Sequence, residues 1–430
     1  MVAELLSFPF GEITRVILSS LPVILLSPAY AGFFWLLAGL VALQYHRLAR
    51  MEEALYGRTR IQVLPSTGRA LVHGLLGGVL ASYLLVFTGV ALGGSDVAYL
   101  WPVALILMLV HPRFLCFSYA ATLISLSALI TGWPQVNIPG LVGLVAVLHV
   151  VEGILVFLGG DRDAVPVHVR HGDGGVVGGF HVQRYWPVPL VAVLVMSVPP
   201  QLMGEVIAMP DWWPLVGPPG EDLEARGLSL MLWPVVAALG YSDVAVSREP
   251  LARSRRAAGH LLLYSLTLLA LAVAASRRPA LAWAAALASG GLHELMIQAG
   301  LRSELGGPAR YRAVPGGVRV LDVFPGSTAE AMGVRRGDII RRVNGRPVAD
   351  RQALEAALGE AWLFLAVTVE RQGRLLDLET SRFRPGPGAL GVVPAPAPGD
   401  PPLVQMGQWG VLVRWLQRLR RRRRPPAPGP

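Results

Sequence analysis

The chain has 430 residues, of which 53% are apolar and 15% charged, with a mean hydropathy of +0.50 and a formal net charge of +10. That balance lies outside the range of soluble globular chains and reads as an integral membrane protein. The single cysteine, Cys116, excludes a disulfide framework within the chain and is compatible with a cytosolic face.

No cleavable signal peptide is expected at the start, because Glu4 and Glu12 stand where a basic lead-in would precede the apolar run. Residues 13–27, broken by Pro22 and Pro28, suit a further span or an interfacial helix. Apolar segments follow near 29–45, 70–92, 97–110, 113–131, 138–158, 186–208, 228–246, 259–275 and 279–298. A span needs ~20 apolar residues. The expectation is therefore a polytopic α-helical membrane domain over residues 1–300, with about nine spans by that criterion.

Loop charge sets an orientation. Arg47, Arg50, Arg58, Arg60 and Arg69 crowd one loop, Arg162, Arg170 and Arg184 another, and Arg248, Arg253, Arg255 and Arg256 a third. These read as cytoplasmic, whereas 93–96, 132–137 and the acidic, Pro/Trp-rich 209–227 read as external. The alternation places the C-terminal part in the cytoplasm, with Arg277 and Arg278 dissenting. All 38 basic residues are Arg, which reads mainly as genome composition.

Catalytic patterns in the membrane part are incomplete. His293-Glu294-Leu295-Met296-Ile297 begins like HExxH, but Ile297 stands where the second imidazole belongs. Ser289-Gly290-Gly291 lacks a G-x-S-x-G frame. His149 and Glu152, three apart, offer metal ligands or a proton path, and read more readily as an interhelical polar pair near the cytoplasmic end. Glu205 and Asp243 lie similarly near segment ends. No catalytic residue, metal or cofactor is expected.

Residues 305–382 change character. Val318, Val320, Leu321 and Val323 form a β-prone run ending at Pro325-Gly326. Ser327 or Thr328 caps a short helix packed through Ala329 and Ala331, and Gly333 ends it. Gly337-Asp338 turns into a strand with Ile339, Ile340 and Val343, and Asn344-Gly345 is a hairpin dipeptide. Asp350 caps a second helix with Leu354 and Leu358 on one face, and a hairpin turning at Gln372-Gly373 closes the unit.

This order of turns resembles a PDZ domain of the bacterial, circularly permuted kind. The resemblance implies a small α+β fold that takes an extended peptide by β-augmentation. Peptide-binding candidates are Gln352, Leu354, Glu355 and Leu358. The apolar-Gly-apolar loop that would hold a peptide's terminal carboxylate is expected upstream of Gly316, where Met296–Leu301 and Gly306-Gly307 are the candidates.

Beyond it, the Pro/Gly-rich residues 385–402 read as a linker. Residues 403–424 form a basic amphipathic tail with Trp409, Trp415, Arg420, Arg421, Arg422, Arg423 and Arg424, suited to an anionic membrane surface, with nucleic acid or an unstructured charged tail as rivals.

With the patterns at 178–187, 240–245 and 293–295, the architecture resembles the multipass, C-terminal-PDZ membrane proteins of Gram-positive bacteria typified by MinJ-type cell-division topological determinants. The resemblance implies a membrane scaffold that recruits cytoplasmic or membrane-associated proteins, with a place in division-site selection. A degenerate or regulatory relative of PDZ-containing intramembrane proteases, and a transporter with an accessory PDZ-like domain, are the alternatives. Nucleic acid is not an expected partner.

Overall fold

The structure is a computed structural model that describes residues 7–197, 206–217, 227–384, 386, 388–403 and 412–413. In chain order the membrane part comprises α1 (Phe10–Leu26), α2 (Pro28–Tyr56), α3 (Val63–Thr88), β1 (Ala91–Gly93), α4 (Gly94–Val110), a 3-10 turn (Pro112–Leu115), α5 (Phe117–Thr131), α6 (Ile138–Gly159), β2 (Val165–Arg170), β3 (Val176–Met196), β4 (Ser229–Ala245), α7 (Pro250–Arg277), a second 3-10 turn (Pro279–Leu281) and α8 (Ala282–Leu305). Among the described residues, five helices are long and apolar enough to cross a membrane: α2, α3, α6, α7 and the run Pro279–Leu305.

The count of nine spans is thus corrected to five candidates. Two of the expected spans, 186–208 and 228–246, carry the antiparallel ribbon of β3 and β4 instead of helices. Local chemistry explains the difference. Residues 187–195 read P-V-P-L-V-A-V-L-V, where two prolines cost a helix about 3 kcal/mol each and repeated Val favours the extended chain. Two further segments, 97–110 and 113–131, become α4 and α5, about 25 and 22 Å long at 1.5 Å per residue, which is short of a ~30 Å hydrocarbon core.

A strand inside a helical bundle has to satisfy its open edge. Pairing Pro187↔Ala238, Pro189↔Val236 and Val191↔Pro234 puts residues 187, 189 and 191 of β3 on one side of the ribbon, facing α3. The two prolines have no N–H to strand there, and the Val191 N–H donates to Ser82 Oγ at 2.8 Å. Gly74 and Gly78 of α3 meet the Pro187 and Pro189 carbonyls so closely that an added Cβ would lie 2.1 and 1.8 Å from the two oxygens. A Gly-x3-Gly-x3-Ser stripe has therefore replaced a neighbouring strand as the partner of this edge.

Residues 318–394 form the second unit: β5 (Val318–Val323), α9 (Thr328–Met332), β6 (Ile339–Val343), β7 (Arg346–Pro347), α10 (Arg351–Gly359), β8 (Leu363–Arg371), β9 (Arg374–Phe383) and β10 (Val392–Pro394). The sheet order is β10-β5-β6-β8-β9, with β7 on β6. Its turns obey the sequence. Gly326, Gly333 and Gly337 have φ of 70, 85 and 85°, and Asn344-Gly345 sits at 48 and 76°, the left-handed pair of a tight hairpin. Ser327 accepts from the Glu330 N–H, and Glu330 in turn accepts from the Gly326 N–H at 2.6 Å. Asp338 accepts from Arg335 N and pairs with Arg371, while Asp350 accepts from Ala353 N to cap α10.

This unit docks against the end of the bundle that carries the Arg-rich loops. Phe180, Ala245, Tyr311, Leu321, Phe324 and Val393 share one buried cluster across the junction. Asp322 of β5, about 1% exposed, binds both Arg60 from the loop after α2 and Arg336, and Arg60 also holds the buried Glu52. Tyr311 donates to Glu249 Oε1 at 2.6 Å, and the Gly178 N–H donates to the Tyr311 carbonyl.

Candidate peptide-binding site

Of the two loops expected upstream of Gly316, neither can hold a peptide terminus. Met296–Leu301 lies within α8, and Gly306-Gly307 follows its end, where Gly307 packs against Ser247 and its carbonyl accepts from His171. The apolar-Gly-apolar element lies downstream, at Ala389-Leu390-Gly391-Val392, inside the stretch read as linker. It follows β9 and leads straight into β10, the edge strand beside β5. The sheet unit accordingly runs past residue 382 to Pro394.

The loop is built to a close tolerance. Gly391 has φ +79°, and a Cβ there would lie 2.3 Å from Ser327 Cβ, so only glycine fits. Its carbonyl accepts from Phe324 N and that of Leu390 accepts from Ala329 N, which fixes the loop over the start of α9. Arg58, from the bundle, donates to the Gly388 carbonyl at 2.7 Å and stands over the Phe324 ring. Its guanidinium lies 3.4 Å from the position of a Cβ on Gly391.

Strand alternation decides which groups are open. Gly391 turns its carbonyl to β5, so Val392 and Pro394 turn their backbone groups to the free edge. Pro394 offers no donor to an added strand. Burial holds the His168 imidazole below its ordinary pKa, with Arg351 acting in the same sense and Asp400 opposing. Only the end nearest the loop is available for pairing.

The candidate residues on α10 separate into two sets. Leu354 is buried in the same apolar cluster as Leu390, and Leu358 and Val392 pack on that cluster. Glu355 is exposed and ion-paired with Arg351 at 3.0 Å. Gln352 is exposed and, at 100° per residue, falls about 160° round the helix from Leu354. Pro325, Gly326, Ala329, Gly333, Gly337, Asp338, Asn344 and Gly345 all occupy the turn, cap and packing positions their types demand. The tail residues Trp409, Trp415, Arg420, Arg421, Arg422, Arg423 and Arg424 lie outside the described residues.

The catalytic fragments take structural parts. Ser289 is buried and donates to the Ser118 carbonyl, and Gly290 N donates to Thr122 Oγ1, so this small-residue run packs α8 on α5. Glu294 accepts from Tyr119 and Gln298 and pairs with Arg113. His149 stands midway along α6, not near the end expected to be cytoplasmic.

Comparison with known proteins agrees with the C-terminal unit. The PDZ domain family matches residues 297–359. Serine protease HTRA3 of Mus musculus is 47% identical over 58 residues, 13% of this chain and 13% of that protein. The Rattus norvegicus protein of the same name is 45% identical over 58 residues, and the putative serine protease HhoA of Synechocystis is 38% identical over 72 residues, 16% of this chain and 18% of its own length. The similarity covers the PDZ region alone and includes no catalytic domain. The chain carries a PDZ domain behind a set of apolar helices able to span a membrane.

Proposed function

We propose that the protein is a membrane-embedded, non-enzymatic scaffold whose PDZ domain faces the cytoplasm and captures partner proteins by their C-terminal residues. The observation that carries this is the Leu390-Gly391-Val392 loop at the mouth of an open edge, with the apolar face of α10 in the same cluster and Arg58 beside it. The N–H groups of Ala389 and Gly391 are already bonded to the Gly386 and Gly388 carbonyls, so those of Leu390 and Val392, with the Arg58 guanidinium beside them, would meet a carboxylate. Because Pro394 interrupts the edge two residues on, pairing extends only to the last residues of a peptide, and selectivity falls on a short motif. The sidedness is supported by the Arg-rich loops that share the PDZ end of the bundle. The finer reading, recruitment in division-site placement, rests on the resemblance of the whole architecture to MinJ-type determinants.

The test is binding of C-terminal peptide libraries to the detergent-solubilised full chain, with free and amidated termini compared. Free-carboxylate peptides are expected to bind at least about tenfold tighter, which is ~1.4 kcal/mol. Leu358→Lys and Glu355→Arg should weaken capture, and Gln352→Arg, farther round the helix, should weaken it less. Capture that ignores both the carboxylate and all three substitutions would move recognition away from this edge.

A further inference from the structure

One cluster in the membrane part is left unexplained by peptide binding. Cys116, at the start of α5, His149 of α6 and His293 of α8 bring one ligand atom each to within 4.8 Å of one another. Cys116 Sγ is 3.2 Å from His149 Nε2 and 3.8 Å from His293 Nε2. A tetrahedral zinc with bonds of about 2.3 Å to sulfur and 2.05 Å to nitrogen separates those ligand atoms by about 3.6 Å. The observed pair of distances brackets that value.

Orientation agrees with distance. His149 Nδ1 lies 2.7 Å from the Val145 carbonyl one turn back, so that nitrogen carries the proton and Nε2 presents its lone pair to the cluster. His293 Nδ1 is buried with no partner among the described residues, while its Nε2 points at the same sulfur. Tyr264 packs against both imidazoles and donates its hydroxyl to the Ser289 carbonyl, which fixes the rings from one side. Tyr119 closes the His293 ring from another.

Charge decides the fourth position. A divalent ion held by one thiolate and two neutral imidazoles keeps a charge of +1, which is costly at mid-depth in a membrane bundle. Glu152 Oε2 is 4.0 Å from His149 Nε2, on the next turn of α6, and its carboxylate would make the site neutral. Glu294, by contrast, is already held by Tyr119, Arg113 and Gln298 and stays outside.

We propose that Cys116, His149 and His293, completed by Glu152, bind a thiophilic divalent metal ion of the zinc class and tie α5, α6 and α8 together. This differs from the expectation of no metal, which rested on the missing imidazole at position 297. The second imidazole comes from another helix, and the thiolate from the turn before a third. The site is independent of the peptide reading.

Tag-free full-length protein, purified in detergent after growth with zinc, is the material for the test. Elemental analysis is expected to find about one zinc per chain in the wild type and in a His46→Gln control, and near none in Cys116→Ser, His149→Gln and His293→Gln. Cobalt(II) added to chelator-stripped wild type should give a thiolate-to-metal absorption band, and Glu152→Gln should shift the ligand-field bands. Cys116 is the sole cysteine, so alkylation reports on it alone, and zinc should slow it about tenfold or more. Should the ligand variants fail to fold, the wild-type band and protection still decide. Background zinc in the wild type, no cobalt band, and alkylation indifferent to zinc would overturn the proposal.

Discussion

Asp322 is the residue on which the junction between bundle and PDZ domain turns. It is buried, and it faces Arg60 from one side and Arg336 from the other. Replacing it with Asn takes the carboxylate from Arg336 and leaves Arg60 with Glu52 as its remaining counter-charge. Because both partners retain some exposure, the loss is discounted from the 3 to 5 kcal/mol of a fully buried pair to about 2 to 4 kcal/mol. Asp322→Asn should therefore speed hydrogen exchange across β5 and the 56–61 loop. Unchanged exchange at both would show that the apolar cluster alone holds the dock. Gly391 tests the loop in the same way. Gly391→Ala places a side chain at φ +79° against Ser327 and should cost about 1 to 3 kcal/mol, read as faster exchange in β10. Gly386→Ala, with open space around it, should stay within about 0.5 kcal/mol.

His168 links a residue to an element, since it is buried in β2 and its carbonyl accepts from Leu403 N. Its folded pKa is depressed below the ordinary 6.5 by burial, so the folded state prefers the neutral ring. The stability tied to this preference is complete above about pH 6.5 and is lost as pH falls below it, because the unfolded chain then binds more protons. Exchange of the amides of 392–403 should accelerate from pH 7.5 to pH 5, and His168→Asn should flatten that dependence. An identical pH profile in the two proteins would assign the effect elsewhere.

At the scale of elements, the β3–β4 ribbon and α3 make the most exacting contact. Gly78→Leu pushes a branched side chain into the Pro189 carbonyl, in the stretch of β3 between its pairing with β2 at 176–181 and with β1 at 193–195, where α3 covers that edge. Thermal inactivation of the solubilised protein should fall by several degrees, consistent with an overpacking cost of about 1 to 3 kcal/mol. Gly32→Ala and Gly39→Ala on α2, with nothing within 4 Å of the added carbon, should be neutral or slightly stabilising. If all three variants behave alike, the close approach of α3 to β3 is not what holds the ribbon.

For the whole molecule, the prediction concerns sidedness. The PDZ domain contacts the bundle end that bears Arg58, Arg60 and Arg248, and α7 runs from that end to Arg277 at the other. Cysteines at Arg256 and Arg374 should be shielded from an impermeant thiol reagent in intact cells, and one at Asp211 should label. Labelling of the Arg374 position from outside would remove the cytoplasmic scaffold.

The PDZ domain was legible in the sequence because its turns are local chemistry. Pro325-Gly326, Gly333, Gly337-Asp338 and Asn344-Gly345 are each required by a backbone conformation set within a few residues, and they appear in the structure at those positions. The presence of apolar helices able to span a membrane was legible for a similar reason, since it sums over composition. Tertiary structure alone decided the rest, in three places where the deciding partner is far along the chain. The ribbon became β because α3 offers glycines and Ser82 to its edge, although the alternating prolines at 187 and 189 were a signal available beforehand. The loop proposed to take a carboxylate lies after β9 because the edge beside β5 is filled from downstream, a pairing no local spacing encodes. Cys116, His149 and His293, up to 177 residues apart, meet only once three helices pack, and a motif of fixed spacing cannot register side chains brought together from separate segments.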